Sequence, residues 1–321
     1  MEIIAKFVFK LPFCIQRKRE YGSSPQCIKT SSEEIVVYPP AKYEYSLFKE
    51  PLWSPDPEQV IGTVNGEPVW HANCIPIHIS KDFPSIPITD EDQKALVTVA
   101  REILHKLLTL YRWRGGQLQV NVADIENLNY DLRYFDSANN RVNVGPGGST
   151  GTSQLNVALI PIKTIEWKDI CQDLISGIEP EIYESLLLDA RSVVSQEPRR
   201  AVLDAATACE VFIEHSCNIA SKNDPKVDSV IYSALTPRTA GISDYFNVVL
   251  RYLFGHSLKD EKQDLYEELG YLVNANNYVK HEGLCQYKHK SGAIIQVDSK
   301  KALDFINKVE EAIQYVKSLQ C

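Results

Sequence analysis

Residues 265–283 read LYEELGYLVNANNYVKHEG, and this stretch decides the reading of the second half of the chain. Leu265, Leu269, Leu272, Val273 and Val279 recur at helical and not at strand spacing. Gly283, just past the last periodic residue, suits a left-handed cap. The pattern therefore predicts a long amphipathic helix with His281 in its last turn, where the helix dipole favours an imidazolium. Asn277 and His281 are four residues apart, so they share one face about 40° from each other. Two readings of that face compete: an Asn/His surface that merely solvates a helix end, and a site.

The chain from Pro180 onward reads as helix after helix. Residues 181–196 carry Ile182, Leu186, Leu187, Ala190, Val193 and Val194 at helical spacing, and Pro198 breaks the pattern. A second helix is predicted from Arg199 to about Ser221. Its Ala201, Ala205, Ala206, Ala208 and Cys209 are small enough to let another helix approach closely. Glu210 is embedded in this small, apolar run. It is either a buried carboxylate that needs a partner or a side chain facing solvent. A third helix is predicted from Ile242 to about Gly255. LCQYKHKSGAIIQV, after Gly283, reads as a short hairpin or extended loop turning at Ser291-Gly292, and Asp298 caps a last helix running to Leu319.

The first half reads as β-rich. EIIAKFVFKL, EEIVVYP and CIPIHIS are strand candidates, and Asn65-Gly66 inside QVIGTVNGEPVW is a hairpin signal. Further strands are expected in QLQVNVADI, RVNVG and LNVALIPI. Prolines at 39, 40, 51, 55, 57, 68, 76, 84 and 87 argue for edge strands and irregular loops and against a long regular sheet. One helix interrupts the strands. It opens at Thr89-Asp90-Glu91-Asp92 and runs to about Trp113, with Gly115-Gly116 as its stop.

Three features here resemble sites of chemistry. Gly145 to Gly151, GPGGSTG, looks like a phosphate loop but lacks its Lys and has no convincing helix after it, so a flexible loop is expected. Arg112 and Arg114 flank Trp113, and a solvated helix end is expected before a phosphate grip. His71 and His78 flank Cys74 at an odd spacing, which puts them on opposite faces of an extended chain and argues against a metal site.

The composition sets bounds. With 321 residues, 44% hydrophobic and 24% charged, two domains with ordinary cores are expected. The formal charge of -8 argues against a broadly basic nucleic-acid binder, though not against a local basic cleft. Eight scattered cysteines show no C-x-x-C pair, so zinc is not expected and reduced thiols of a cytoplasmic protein are. No run of 18 apolar residues is present, so no membrane contact is expected. At the start, Ile3, Ala5, Phe7, Phe9 and Leu11 alternate and predict a strand, not an export signal.

The run LLLDARSVV, the Pro-Arg-Arg-Ala start, AVLDAATACEVFIEH and the helix end NNYVKHEG together resemble the HEPN family, the higher eukaryote and prokaryote nucleotide-binding domains. The resemblance covers roughly 180–320. The expected layout is α+β: a β-rich mixed domain of unknown role over 1–165, then an all-α up-and-down HEPN-like bundle over 178–321.

The resemblance implies a homodimer through the helical domain, with the signature helices facing each other across a cleft. It further implies RNA or a nucleotide as ligand, a partner protein, a bacterial defence or toxin–antitoxin setting, and no cofactor or metal. Active members resemble metal-independent endoribonucleases whose motif is an Arg, a polar residue, a short gap and a His. His281 matches the motif His and Asn277 the polar residue, while the Arg position falls on Asn276. Cleavage of RNA by its own 2′-OH needs a proton acceptor, a role an imidazole such as His281 can fill, and a cation near the phosphate. Asn276 cannot supply the cation, and such a loss costs about 3–4 kcal/mol of transition-state stabilisation. Lys280 projects about 100° away from His281. Lys280, Tyr278, Glu210, Lys288 and Lys290 are the expected nucleic-acid or ligand contacts; Lys288, His289 and Lys290 either lean back over the cleft or form a plain basic loop.

Three functions follow. The first is an RNA- or nucleotide-binding HEPN-like protein with weakened or absent cleavage, in which Asn276→Arg is expected to raise activity. The second is an active endoribonuclease using His281. The third is a non-enzymatic module that dimerises while the front half recognises a ligand.

Overall fold

A long β-strand with strict alternation organises the first half. In β1 (Glu2–Lys18), Ile3, Ala5, Phe7, Phe9 and Leu11 are buried on one side, and Lys6 and Lys10 fall on the other. β1 pairs antiparallel with β7 (Glu67–Asp82) on one edge and with β8 (Tyr130–Asp136) on the other. The computed structural model describes residues 2–18, 26–29, 33–38, 42–43, 53–54, 62–64, 67–83, 87–115, 128–142, 167–223 and 241–320. The chain divides into two units, Met1–Glu179 and Pro180–Cys321. Its layout is α+β, with an antiparallel sheet in the first and helices in the second.

β3 (Glu34–Val37) and then β2 (Gln26–Lys29) extend the sheet to the order β2-β3-β7-β1-β8, and β6 (Gly62–Val64) also pairs with β7. A small separate pair is formed by β4 (Lys42–Tyr43) and β5 (Trp53–Ser54). The β6–β7 ladder runs Gly62↔Val69, Thr63↔Pro68 and Val64↔Glu67, the register of a hairpin around Asn65-Gly66, two residues that lie outside the described ones. Also outside them are the loop 145–151, the strand candidates 117–125 and 155–162, and the His71 side chain.

The proline argument against a long regular sheet is overturned. β7 is 16 residues long, carries Pro68 and Pro76, and lies between β3 and β1. The Pro76 carbonyl accepts from Tyr38 N–H at 3.0 Å, so the ring nitrogen faces the side where β3 runs out, and little of the ladder is lost. β1 tolerates Pro12 by a register shift between Lys10 and Ile15.

α1 (Asp90–Gly115) starts where the acidic run predicts. The Thr89 hydroxyl accepts from Asp92 N–H at 3.1 Å and donates to the Asp92 carboxylate at 2.6 Å. Its Leu96, Ala100, Leu104, Leu107, Leu108 and Tyr111 join the inward residues of the sheet. α2 (Trp167–Ser176), like β8 not among the sequence-predicted elements, adds Ile170, Cys171 and Leu174. Arg114 lies over the Trp113 ring and forks onto Asp173 at 2.6 and 2.9 Å. This guanidinium is a clasp between α1 and α2 rather than a phosphate grip.

The second unit consists of α3 (Ile182–Val193), α4 (Pro198–Asn223), α5, α6 (Leu258–Glu261), α7 (Gln263–Glu282), the hairpin β9 (Gln286–Lys288) and β10 (Ile294–Gln296), and α8 (Ser299–Leu319). α5 is three contiguous pieces: Ile242–Asp244, the π-helical Tyr245–Val249, and Leu250–Phe254. Pro198 is the first residue of α4, where its missing N–H costs nothing. α4 packs against α3, α7 and α8 along Ala201, Ala205, Ala206, Ala208 and Cys209, all fully buried. The Asp298 carboxylate caps α8 by accepting from Lys301 N–H at 2.8 Å. Arg191 forks onto Glu310 and reaches Asn307, Lys317 reaches Glu184, and Lys301 reaches Glu268, tying α8 to α3 and α7. Burial pushes the Cys171 thiol up to about 12, and burial with the nearby Glu214 charge pushes Cys217 up to about 11. Among the described residues no helix is long and apolar enough to cross a membrane.

His78 gives the first unit a pH dependence. Burial, with the Lys6 charge nearby, lowers it to about 3, whereas an unfolded imidazole takes its proton near 6.5. Between those values the unfolded chain binds more protons, so the unit loses stability as pH falls from about 6.5 to about 3, by up to about 1.4 kcal/mol per pH unit. Acid denaturation of the wild type and of His78→Leu checks this. The variant flattens the slope, and an unchanged slope removes His78 as its source.

Candidate functional site

Helix α7 has two faces with different duties. Leu265, Leu269, Leu272, Ala275, Asn276 and Val279 are its buried residues, packed where α4 and α8 meet it. At about 100° per residue, Glu267, Gly270, Tyr271, Asn274, Asn277, Tyr278 and His281 fall within about 120° of one another on the opposite side. Of these, Asn277 and His281 are exposed, and Tyr271, Asn274 and Tyr278 are half-buried. The stripe is about 21 Å long from Glu267 to His281.

The end of the helix is built as its sequence implies. Gly283 takes φ 70°, Gly283 N–H donates to the Val279 carbonyl at 3.2 Å, and Leu284 N–H donates to the Tyr278 carbonyl at 3.3 Å. An added Cβ at Gly283 would meet nothing within 4 Å, so conformation and not space demands the glycine. This turn leaves His281 at the helix end with no hydrogen-bond or ion-pair partner among the described residues.

The turn then delivers the β9–β10 hairpin alongside α7. Lys288 N–H donates to the Asn274 carboxamide oxygen at 2.6 Å. Tyr287 is buried, 5.0 Å from the Tyr271 ring and edge-on to Phe305 at 5.8 Å, and so plugs the hairpin into the bundle. The His289 ring lies 5.2 Å from Tyr271 at 30°. Lys290 Nζ reaches the Glu267 carboxylate at 2.8 Å, and this contact with that of Gln263 holds the Glu267 carboxyl below its usual range. The expected basic pair, Lys288 and Lys290, therefore does border α7, beside Glu267 and Asn274 and nearer the middle of the helix than its His281 end.

Asn276 departs from expectation. It is only 3% exposed, and its Oδ1 has no hydrogen-bond partner among the described residues. Five residues of helix put it about 140° round from His281. The position of the motif Arg thus faces the core and does not stand with Asn277 and His281 in one site. Glu210 is exposed on α4, so its carboxylate keeps its solvent and needs no buried partner. Lys280 is exposed about 100° from His281, so it does not replace the missing cation there. No three His, Cys, Asp or Glu side chains among the described residues are grouped to hold a metal ion.

Sequence reading missed Glu267, Tyr271 and Asn274. The signal was present, since 267, 271, 274, 278 and 281 repeat at three and four residues just as the apolar positions do.

An unmet buried acceptor costs about 1–3 kcal/mol, so Asn276→Leu is expected to raise the melting temperature. Asn276→Arg places an unpaired guanidinium in the core and is expected to lose about 3 kcal/mol or more without gaining cleavage. This reverses the sequence-based expectation that the Arg raises activity. Thermal melts and an RNA cleavage assay check both, and an active, stable Asn276→Arg protein would place residue 276 in the site after all. Compared with models of known families, with curated proteins and with solved structures, the chain matches none.

Proposed function

We propose that this chain binds single-stranded RNA or a nucleotide through the exposed face of α7 and cleaves it weakly or not at all. The observation that carries the reading is the split of the signature helix. Asn277 and His281 lie open on one face, and the neighbouring position that would need a cation is a neutral Asn276 turned into the core. An imidazole and a carboxamide can hold a phosphate or a ribose hydroxyl, but the developing charge of a cleavage step lacks its guanidinium.

The HEPN resemblance supplies the wider setting, a bacterial defence or toxin–antitoxin protein that pairs with a second copy and answers to a partner protein. Exposed Val248 and Tyr252, four residues apart on α5, offer an apolar strip for such pairing.

The test is a gel-shift series with a short single-stranded RNA at low salt, with EDTA present throughout. The wild type is expected to shift the RNA and leave it intact. Paired Asn277→Ala and His281→Ala changes are expected to weaken binding at least tenfold without lowering the melting temperature. Absence of binding, or binding indifferent to both changes, overturns the reading. Rapid cleavage in EDTA that His281→Ala abolishes replaces it with the active-ribonuclease reading.

A further inference from the structure

A groove of about 390 Å³ lies between α7 and the β9–β10 hairpin, lined by Glu267, Gly270, Tyr271, Asn274, Lys288 and Lys290. One lining residue is out of place for a helix. Gly270 is in the interior of α7, where glycine costs about 1 kcal/mol relative to alanine. Packing does not require it, because an added Cβ would meet nothing within 4 Å. What a side chain there would do is project into the groove. The glycine keeps that space open.

Tyr271 is the aromatic ring that lines the groove. Tyr271 is backed by buried Tyr287, itself braced on Phe305, and flanked by His289. Such a layered aromatic surface stacks a planar base, a contact worth about tenfold or more in binding. The walls are polar and of mixed charge. Glu267 Oε2 holds Lys290 Nζ at 2.8 Å and Oε1 holds Gln263 Nε2 at 3.2 Å. Asn274 Oδ1 is taken by Lys288 N–H, and neither Asn274 Nδ2 nor Lys288 Nζ has a partner among the described residues. One carboxylate against two ammonium groups leaves the groove net positive.

A carboxylate accepts and cannot donate, so it selects a base edge with two neighbouring N–H donors. Guanine has that edge, N1–H beside the N2 amino group, and next to it the O6 acceptor. Adenine and cytosine each place a ring-nitrogen acceptor there, and uracil brings only one donor. The geometry points to a guanine base in this groove, stacked on Tyr271, with N1–H and N2–H donating to Glu267, O6 accepting from Lys290, and its phosphate on Lys288. The inference rests on the RNA reading and narrows it, since the groove continues the same α7 stripe, with Asn274 about 10 Å along the axis from His281.

Calorimetric titration of the full chain with 5′-GMP, 5′-IMP, 5′-AMP and 5′-UMP tests it. GMP is expected to bind tightest, IMP about tenfold weaker for want of one N–H donor, and AMP and UMP at least thirtyfold weaker. Glu267→Gln is expected to erase the preference for GMP over IMP while keeping stacking, and Tyr271→Ala to weaken every nucleotide at least tenfold. Gly270→Leu is the sharpest variant: it is expected to melt no lower than wild type and to lose GMP binding. No GMP binding at millimolar concentration, equal binding of the four nucleotides, or GMP binding by Gly270→Leu as by wild type overturns the assignment. A decamer of uridines is titrated in parallel. His281-dependent binding of that oligomer without GMP binding leaves the RNA reading standing and the guanine site refuted. GMP binding without oligomer binding does the reverse.

Discussion

Helix α7 advances about 100° per residue, and its buried residues leave it no freedom of rotation. Once Leu265, Leu269, Leu272 and Val279 are packed against α4 and α8, every other side chain on the helix has its direction assigned. His281 and Asn277 go outward, and Asn276 goes inward. On this helix a side chain at residue 276 and the imidazole at residue 281 leave the axis about 140° apart. For this chain, the geometry of one amphipathic element limits what chemistry its exposed face can perform.

The hairpin converts that exposed face from a bare surface into a groove. Its anchoring is apolar and its rim is polar: Tyr287 is buried between Tyr271 and Phe305, while Lys288 and Lys290 remain exposed beside Glu267 and Asn274. The surface ion pair between Lys290 and Glu267 adds little to stability, but it concentrates both signs of charge within 3 Å of each other in the groove that Tyr271 lines.

Much of the second unit was legible because helices announce themselves through period and caps. Gly283 and Asp298 sit where the pattern puts them, and the small residues of α4 are the ones that touch its neighbours. Less of the first unit was legible. Pro76 argued against a central strand, and only the direction of its carbonyl toward Tyr38 shows why it is tolerated. β8, YDLRYFD, carries the strand period, with Tyr130, Leu132 and Tyr134 buried and Asp131 and Arg133 between them, so its signal was in the sequence. Across the π-helical turn Tyr245–Val249, Phe246, Val249 and Leu250 go inward at helical spacing while Val248 stays out. At the site, the direction of Asn276 was derivable from its neighbours Leu272 and Val279. Its burial was missed because the resemblance drew residues 276, 277 and 281 together as one motif, when the helix separates them.

The clip between Asn274 and Lys288 runs through the main chain of the lysine, not its side chain. The residue at 288 can therefore be exchanged without unfastening the hairpin, and the same holds for 290, whose contact is with a surface carboxylate. Scaffold and recognition surface are thus separable in this unit. Selection, or an engineer, can retune what the groove holds through a few tip residues while the bundle beneath keeps its packing unchanged.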